Sequence, residues 1–237
     1  MIKQGSFESW LRPNDVERLK VSRPEIGRGT YGYVYPGRLK FKGGEWKRVA
    51  VKVFDKPLSQ DNVKAYREMV QRLAKADVRM PKVGYMMHEG KYVQVMPFFG
   101  SSSKIKISPF PYPDLQTALE VAEQAARIVG AGFRFHQDSL HFIRTKTGVT
   151  VPYVIDFDRL NPKEKDLDSR YYAKKYGLKP NGMDGRAYAS ARYLEEMFFA
   201  QPAILKQALD HFFARLPASE DVKKAQQLMH ERLDETA

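Results

Sequence analysis

The apolar positions of this chain change their period along its length. From Tyr31 to Phe54 strand-forming residues dominate: Tyr31, Tyr33, Val34, Tyr35, Leu39 and Phe41, then the alternating run WKRVAVKVF from Trp46 to Phe54. Lys42-Gly43-Gly44-Glu45 between them predicts a hairpin turn. From Ser59 to Ala76 the period becomes helical. Val63, Tyr66, Met69, Val70 and Leu73 form the apolar face, and Ser59 is the expected cap. Val83 to Met87 and Tyr92 to Met96 read as two more strands, joined by a tight turn at Glu89-Gly90. The run 97–113, rich in Pro, Ser and Gly, predicts a connector. Asp114 then caps LQTALEVAEQAARIV, whose expected core face is Leu115, Leu119, Ala122, Ala126 and Val129, and Gly130 and Gly132 stop it. Two short strands are predicted around Leu140 to Arg144 and Val151 to Ile155. The chain is expected to be mainly helical from about Met183, with the last helices over roughly 202–216 and 219–235. Residues 1 to 20 predict a short helical or irregular lead-in. A sheet-rich first part over 1–98 and a helix-rich second part over 99–237 make the expected class α+β.

Composition narrows the chemistry. A chain of 237 residues with 43% hydrophobic content can bury a sizeable core, as one large domain or two small lobes. There is no cysteine, which excludes disulfides, Cys-ligated metal and thiol nucleophiles. No apolar h-region opens the chain and no apolar run is long enough to span a bilayer, so a cytoplasmic protein without a transmembrane segment is expected. The formal net charge of +12 favours anionic partners: nucleotide phosphates, nucleic acid, anionic lipid or acidic protein. The basic residues are scattered, with no long run and no repeated basic–aromatic pattern, so no dedicated nucleic-acid binding is expected. Peripheral contact with the inner face of an anionic membrane stays open.

Four stretches carry candidate chemistry. EIGRGTYGYVY holds Gly27, Gly29 and Gly32 between strands, where glycine packs nothing. It reads either as a loose hairpin or as a lid whose backbone approaches phosphates. No helix follows directly, which argues against Rossmann and Walker-type loops. Lys52 lies mid-strand in VAVKVF, on the face it shares with positions 50 and 54. His136-Gln137-Asp138 follows the long helix and offers a loop carboxylate able to accept a proton, or a simple turn. Asp156-Phe157-Asp158 ends an apolar strand with two carboxylates suited to a hard cation such as Mg²⁺, or simply pointing into water.

The order of these stretches matches the signature set of protein kinases, and the chain resembles protein-kinase-like phosphotransferases over about residues 25 to 160. The resemblance implies a bilobal fold with a sheet-rich N-lobe and a small helical C-lobe. It implies ATP and Mg²⁺ as nucleotide and cofactor. Gly27, Gly29, Gly32, Val34, Ala50, Lys52, Met96 and Phe98 would line the nucleotide, with Met96 at the back of the adenine pocket and 97–99 as the hinge. Asp138 would be the catalytic carboxylate, and Asp156 the main metal ligand. Glu68 is the only Glu between Lys52 and the next strand and so the implied partner of Lys52, although by helical phase it lies nearly opposite the apolar face.

The chain also departs from the family pattern. The position of the family's metal-binding Asn holds Ile143, and His141 is the alternative ligand. Asp158 replaces the Gly of D-F-G, so a fixed turn is expected. The run Asp156 to Arg159, D-F-D-R, resembles the small bacterial kinases of lipopolysaccharide inner-core sugars. There is no A-P-E segment, and Asp184 is either the support of the catalytic loop or a helix cap. The implied activity is transfer of the γ-phosphate of ATP to a hydroxyl, on Ser or Thr of a protein substrate. Two alternatives remain: a lipopolysaccharide core-sugar (Kdo or heptose-type) kinase acting on an anionic glycolipid, and a pseudokinase that binds nucleotide as a scaffold.

Overall fold

A computed structural model describes residues 15–29, 31–98, 104–105, 114–144, 150–160 and 167–236. The alternating run becomes the centre of a six-stranded antiparallel sheet: β1 (Val16–Val21), β2 (Gly27–Gly29), β3 (Gly32–Phe41), β4 (Trp46–Phe54), β5 (Gly84–His88) and β6 (Lys91–Pro97). The path runs β1-β3-β4-β6-β5, with β2 beside β3. The sheet is curled. Its turns form where the sequence predicts them. Gly43 takes a left-handed φ of 67° in the β3–β4 turn. Glu89 and Gly90, at φ 48° and 75°, supply the two left-handed residues of the tight β5–β6 hairpin.

The expected lead-in over 1–20 is corrected in part. Val16–Val21 is a strand, because Leu19 is buried opposite Leu39 while Arg18 and Lys20 face outward. Residues 1–14 lie outside the described residues. β1 pairs with residues 37–41 of β3, and β2 with 32–34. Pro36, which cannot donate to a ladder, falls in the gap between the two.

One sheet face carries the cluster Leu19, Leu39, Val49, Val51, Val93 and Val95. On the other, Phe54 and Tyr85 pack with Val63 of α1 (Gln60–Lys75). Tyr66 of α1 is sandwiched between them, its ring centroid 6.3 Å from Phe54 and 5.7 Å from Tyr85. Ser59 caps α1 as predicted, its hydroxyl accepting from the N–H of Asn62 at 3.1 Å.

The chain divides into two compact units. One comprises Met1–Ala74 with Met80–Ser102, the other Lys75–Arg79 with Ser103–Ala237. In the second, α2 (Leu115–Gly130) packs on α5 (Pro202–Ala214) and α4 (Met183–Phe198), and α4 also meets α3 (Leu167–Tyr176) and α6 (Glu220–Thr236). Asp114 caps α2 through Thr117 N–H at 2.7 Å. Of the expected core face of α2, Ala122, Ala126 and Val129 are buried and Leu119 is half-buried, but Leu115 is exposed; Ala118, Val121, Ala125 and Ile128 are buried as well. α3 was not predicted; its apolar periodicity is weak, with Ala173 its buried residue. A small antiparallel sheet follows the order β7 (Lys104–Ile105), β8 (Leu140–Arg144), β9 (Thr150–Val154). β7 lies within the expected connector, whose residues 99–103 and 106–113 are outside the described residues. Taken together, the described residues form an α+β protein.

Candidate functional site

Strand register assembles the first group of candidates. Directly paired residues share a sheet face. Gly27 pairs with Val34, Val34 with Lys52, Lys52 with Gln94, and Gln94 with Tyr85. One row therefore runs from the glycine strand across four further strands. Ala50, paired with Met96 on the same face, lies one pleat along. Lys52 is only 5% exposed, with its ammonium 5.4 Å from the Phe54 ring centroid. Gln94 is also buried and donates its amide to the Tyr85 hydroxyl at 3.2 Å. Sequence reasoning missed Gln94. Its signal is a lone polar residue between Val93 and Val95, in a strand buried on both faces.

The three glycines separate. A Cβ on Gly32 would stand 2.2 Å from the Val53 carbonyl oxygen, so the fold itself demands glycine there. A Cβ on Gly27 would meet only the Cβ of Val34, at 4.0 Å. Packing gives no reason for glycine at 27. Gly29 pairs with Gly32 at the exposed end of β2.

Glu68 requires a correction. It is exposed on α1 and forms no ion pair among the described residues, so the structure does not join it to Lys52. Tyr66 and Val63 take the sheet-facing positions of the helix. Phe98, expected at the hinge, lies under the Arg48 guanidinium at 4.5 Å.

The second group lies in the other unit. A single 3-10 turn, Gln137–Ser139, leads into β8, and β9 leads out to Ile155 and Asp156. The N–H of Ile155 donates to the carbonyl of Ser139 at 2.9 Å, which ties the two chain segments carrying Asp138 and Asp156 together. Phe157 is buried and pins the turn after Asp156. The side chains of Ile143, Asp158 and Arg159 lie outside the described residues. Asp138 is 58% exposed on its side chain, and its N–H donates to Nδ1 of His136 at 3.1 Å. That bond requires Nδ1 to be unprotonated, so a neutral His136 carries its proton on Nε2.

His141 stands opposite Tyr153 in the β8–β9 ladder. Among the described residues, no three His, Asp or Glu side chains gather closely enough to hold a metal ion. Mg²⁺ does not need such a cage, because one or two carboxylates and phosphate oxygens satisfy it. Asp156, half-buried beside the anchored Phe157, has the right donor chemistry. The His141 nitrogen does not.

Asp184 does not support the 136–138 loop. Its buried carboxylate accepts from Lys179 N–H at 3.1 Å and Gly185 N–H at 2.8 Å, closing the turn before α4. The loop is held by residues that sequence reasoning passed over. The Ser190 hydroxyl accepts from Phe135 N–H at 3.0 Å, and Tyr193 places its ring centroid 4.4 Å from that of His136.

No helix among the described residues is long and apolar enough to cross a membrane. No protein-family model matches this chain, and no curated protein matches its sequence.

Proposed function

We propose that this protein is an ATP-dependent phosphotransferase with a protein-kinase-like bilobal fold, acting on a hydroxyl. The observation that carries the reading is the register row Gly27–Val34–Lys52–Gln94. It sets a buried lysine on the same sheet face as a glycine strand that has no packing need for glycine at 27. Backbone that bare, beside a cation that hidden, suits a polyphosphate. Ala50, Val34 and Met96 would form the apolar slot for the base, and Lys52 would neutralise the α- and β-phosphates.

The other unit would supply the transfer chemistry. The exposed carboxylate of Asp138 would accept the proton of the attacking hydroxyl, whose oxygen bonds to the γ-phosphorus as the bond to ADP breaks. His136 and Ser190 would hold that loop in position. Asp156 would hold Mg²⁺, which supplies charge neutralisation to the phosphates when bound. The acceptor is a protein Ser or Thr hydroxyl, with a lipopolysaccharide core sugar as the alternative.

A second reading, a pseudokinase that binds ATP without turning it over, is favoured by the exposed Glu68. In the family pattern a helix Glu fixes the strand lysine against the phosphates, and Glu68 is turned to solvent instead. The test is Mg²⁺-dependent transfer from γ-labelled ATP by wild type, Asp138→Ala and Asp156→Ala, offered a generic basic protein or purified lipopolysaccharide. Label in wild type and none in either variant establishes the kinase, and the labelled acceptor names its class. ATP-raised melting without transfer favours the pseudokinase. Neither effect removes the whole assignment.

A further inference from the structure

The sheet face bearing Lys52 and Ala50 continues toward the β3–β4 turn, and there its character changes. Lys20 pairs with Arg38 and Arg38 with Arg48, so three cations from β1, β3 and β4 stand in one row. In the next row, Arg18 pairs with Lys40 and Lys40 with Trp46. No acidic residue occupies either row. Lys40 is matched by Glu17 at 2.8 Å, whereas Arg18, Lys20, Arg38 and Arg48 are exposed and form no ion pair with any described residue. Trp46 is 38% exposed at the edge of this lattice. Arg48 lies about 13 Å along β4 from Lys52, so this surface is separate from the candidate phosphotransfer site.

Two classes of polyanion suit such a surface, and the aromatic residues separate them. Single-stranded nucleic acid needs bare ring faces on which bases stack. Here each ring already holds one of the chain's own cations, which leaves fewer open faces for stacking: the Lys20 ammonium sits 5.1 Å from the Trp46 ring, and the Arg48 guanidinium 4.5 Å from the Phe98 ring. A bilayer needs no stacking platform. It presents a two-dimensional field of phosphates, which a two-row lattice of cations complements, and an exposed Trp at the rim suits the headgroup level. We propose that this face of β1, β3 and β4 docks the protein on an anionic phospholipid bilayer.

The test is co-sedimentation of the full chain with vesicles of phosphatidylglycerol and phosphatidylcholine in equal parts, against phosphatidylcholine alone. Binding is expected to the first only, and to weaken as salt shortens the screening length. Each removed cation should weaken binding about fivefold, so the Lys20→Gln, Arg38→Gln, Arg48→Gln triple variant should lose about a hundredfold. All three side chains are exposed, and an unchanged melting temperature verifies folding. A control triple, Lys64→Gln, Lys174→Gln, Lys206→Gln, removes the same charge from exposed helix positions. An equal loss in the control would overturn the proposal, because net charge and not this face would then drive binding. In a Trp10→Phe chain, Trp46 is the sole indole. Its emission should shift to the blue on phosphatidylglycerol vesicles, and an unmoved spectrum would likewise overturn it. Tighter binding to a single-stranded oligonucleotide than to the vesicles would transfer the surface to nucleic acid.

Discussion

The hydroxyl of Ser190 accepts the backbone N–H of Phe135 at 3.0 Å, and both residues are fully buried. This bond joins the middle of α4 to the segment entering the Asp138 turn. Ser190→Ala would leave a buried donor unsatisfied, at a cost of about 1–3 kcal/mol. Melting should fall by several degrees. If the bond also positions the loop, transfer should drop with little change in the KM for ATP, since the proposed nucleotide contacts lie on the six-stranded sheet. Ser190→Thr, which keeps an acceptor oxygen, should restore part of the rate, and melting curves with steady-state kinetics read both effects.

The glycines offer a sharper division. Gly32→Ala drives a Cβ into the Val53 carbonyl and should destabilise the chain by about 1–3 kcal/mol with or without nucleotide. Gly27→Ala has room and should alter stability by less than about 0.5 kcal/mol. ATP affinity should nonetheless fall in Gly27→Ala, as a side chain on β2 holds phosphates away. Calorimetric titration against chemical denaturation separates the two. Unchanged ATP affinity in Gly27→Ala would show that this glycine is no lid.

Lys52 and Asp138 should fail in different ways. Lys52→Met places an apolar side chain of similar length at a buried position, so folding should survive while transfer falls about 10²–10³-fold. Asp138→Asn leaves an exposed turn and its backbone bond to His136 intact. Transfer should fall about 10²–10⁴-fold with ATP binding preserved. ATP titration of each variant beside its turnover checks the contrast.

Glu123 on α2 predicts a pH effect on stability. Burial works to raise its pKa. Hydrogen bonds from Arg127 and His211, and the charges of Arg215 and Arg127, outweigh burial and hold it below its ordinary 4.5. A carboxyl depressed in the folded state stabilises above its ordinary value, and that stability is lost as pH falls through the folded value. Glu123→Gln should therefore cost about 1.5–3 kcal/mol at neutral pH. The difference from wild type should close once pH drops below 4.5 and through the folded value. Urea titrations across that range measure it.

What the sequence made legible was local. Ser59, Asp114 and Glu89-Gly90 act within a few residues of themselves, so cap and turn chemistry suffices to find them. The wheel of α1 already set Glu68 away from the apolar face, and the structure leaves it exposed. Gly32 reads in the sequence only as one of three glycines of a loose hairpin or a phosphate lid, whereas its own requirement comes from β4, whose carbonyl is nearby only after the sheet forms. Gln94 beside Lys52 depends on register between distant strands, and Ser190 reaches back 55 residues to Phe135. No periodicity encodes such pairs. Leu115 reads as a core residue because its type fits the period, yet it is 37% exposed at the start of α2.

Among the described residues the glycine strand pairs with one neighbour, β3. β1 and β2 divide the outer edge of β3, and β2 holds on by three residue pairs, with all three of its own residues exposed. Peeling it away would uncover no apolar side chain of its own and would trade ladder hydrogen bonds for bonds to water. The energetic cost of motion is thereby confined to a few amides, while the valine layer beneath β3 and β4 stays shut. A strand held so lightly is expected to open more often than the chain unfolds globally. Exchange of its amides with solvent deuterium should run far ahead of exchange in β4 and β6, which have a strand on either side.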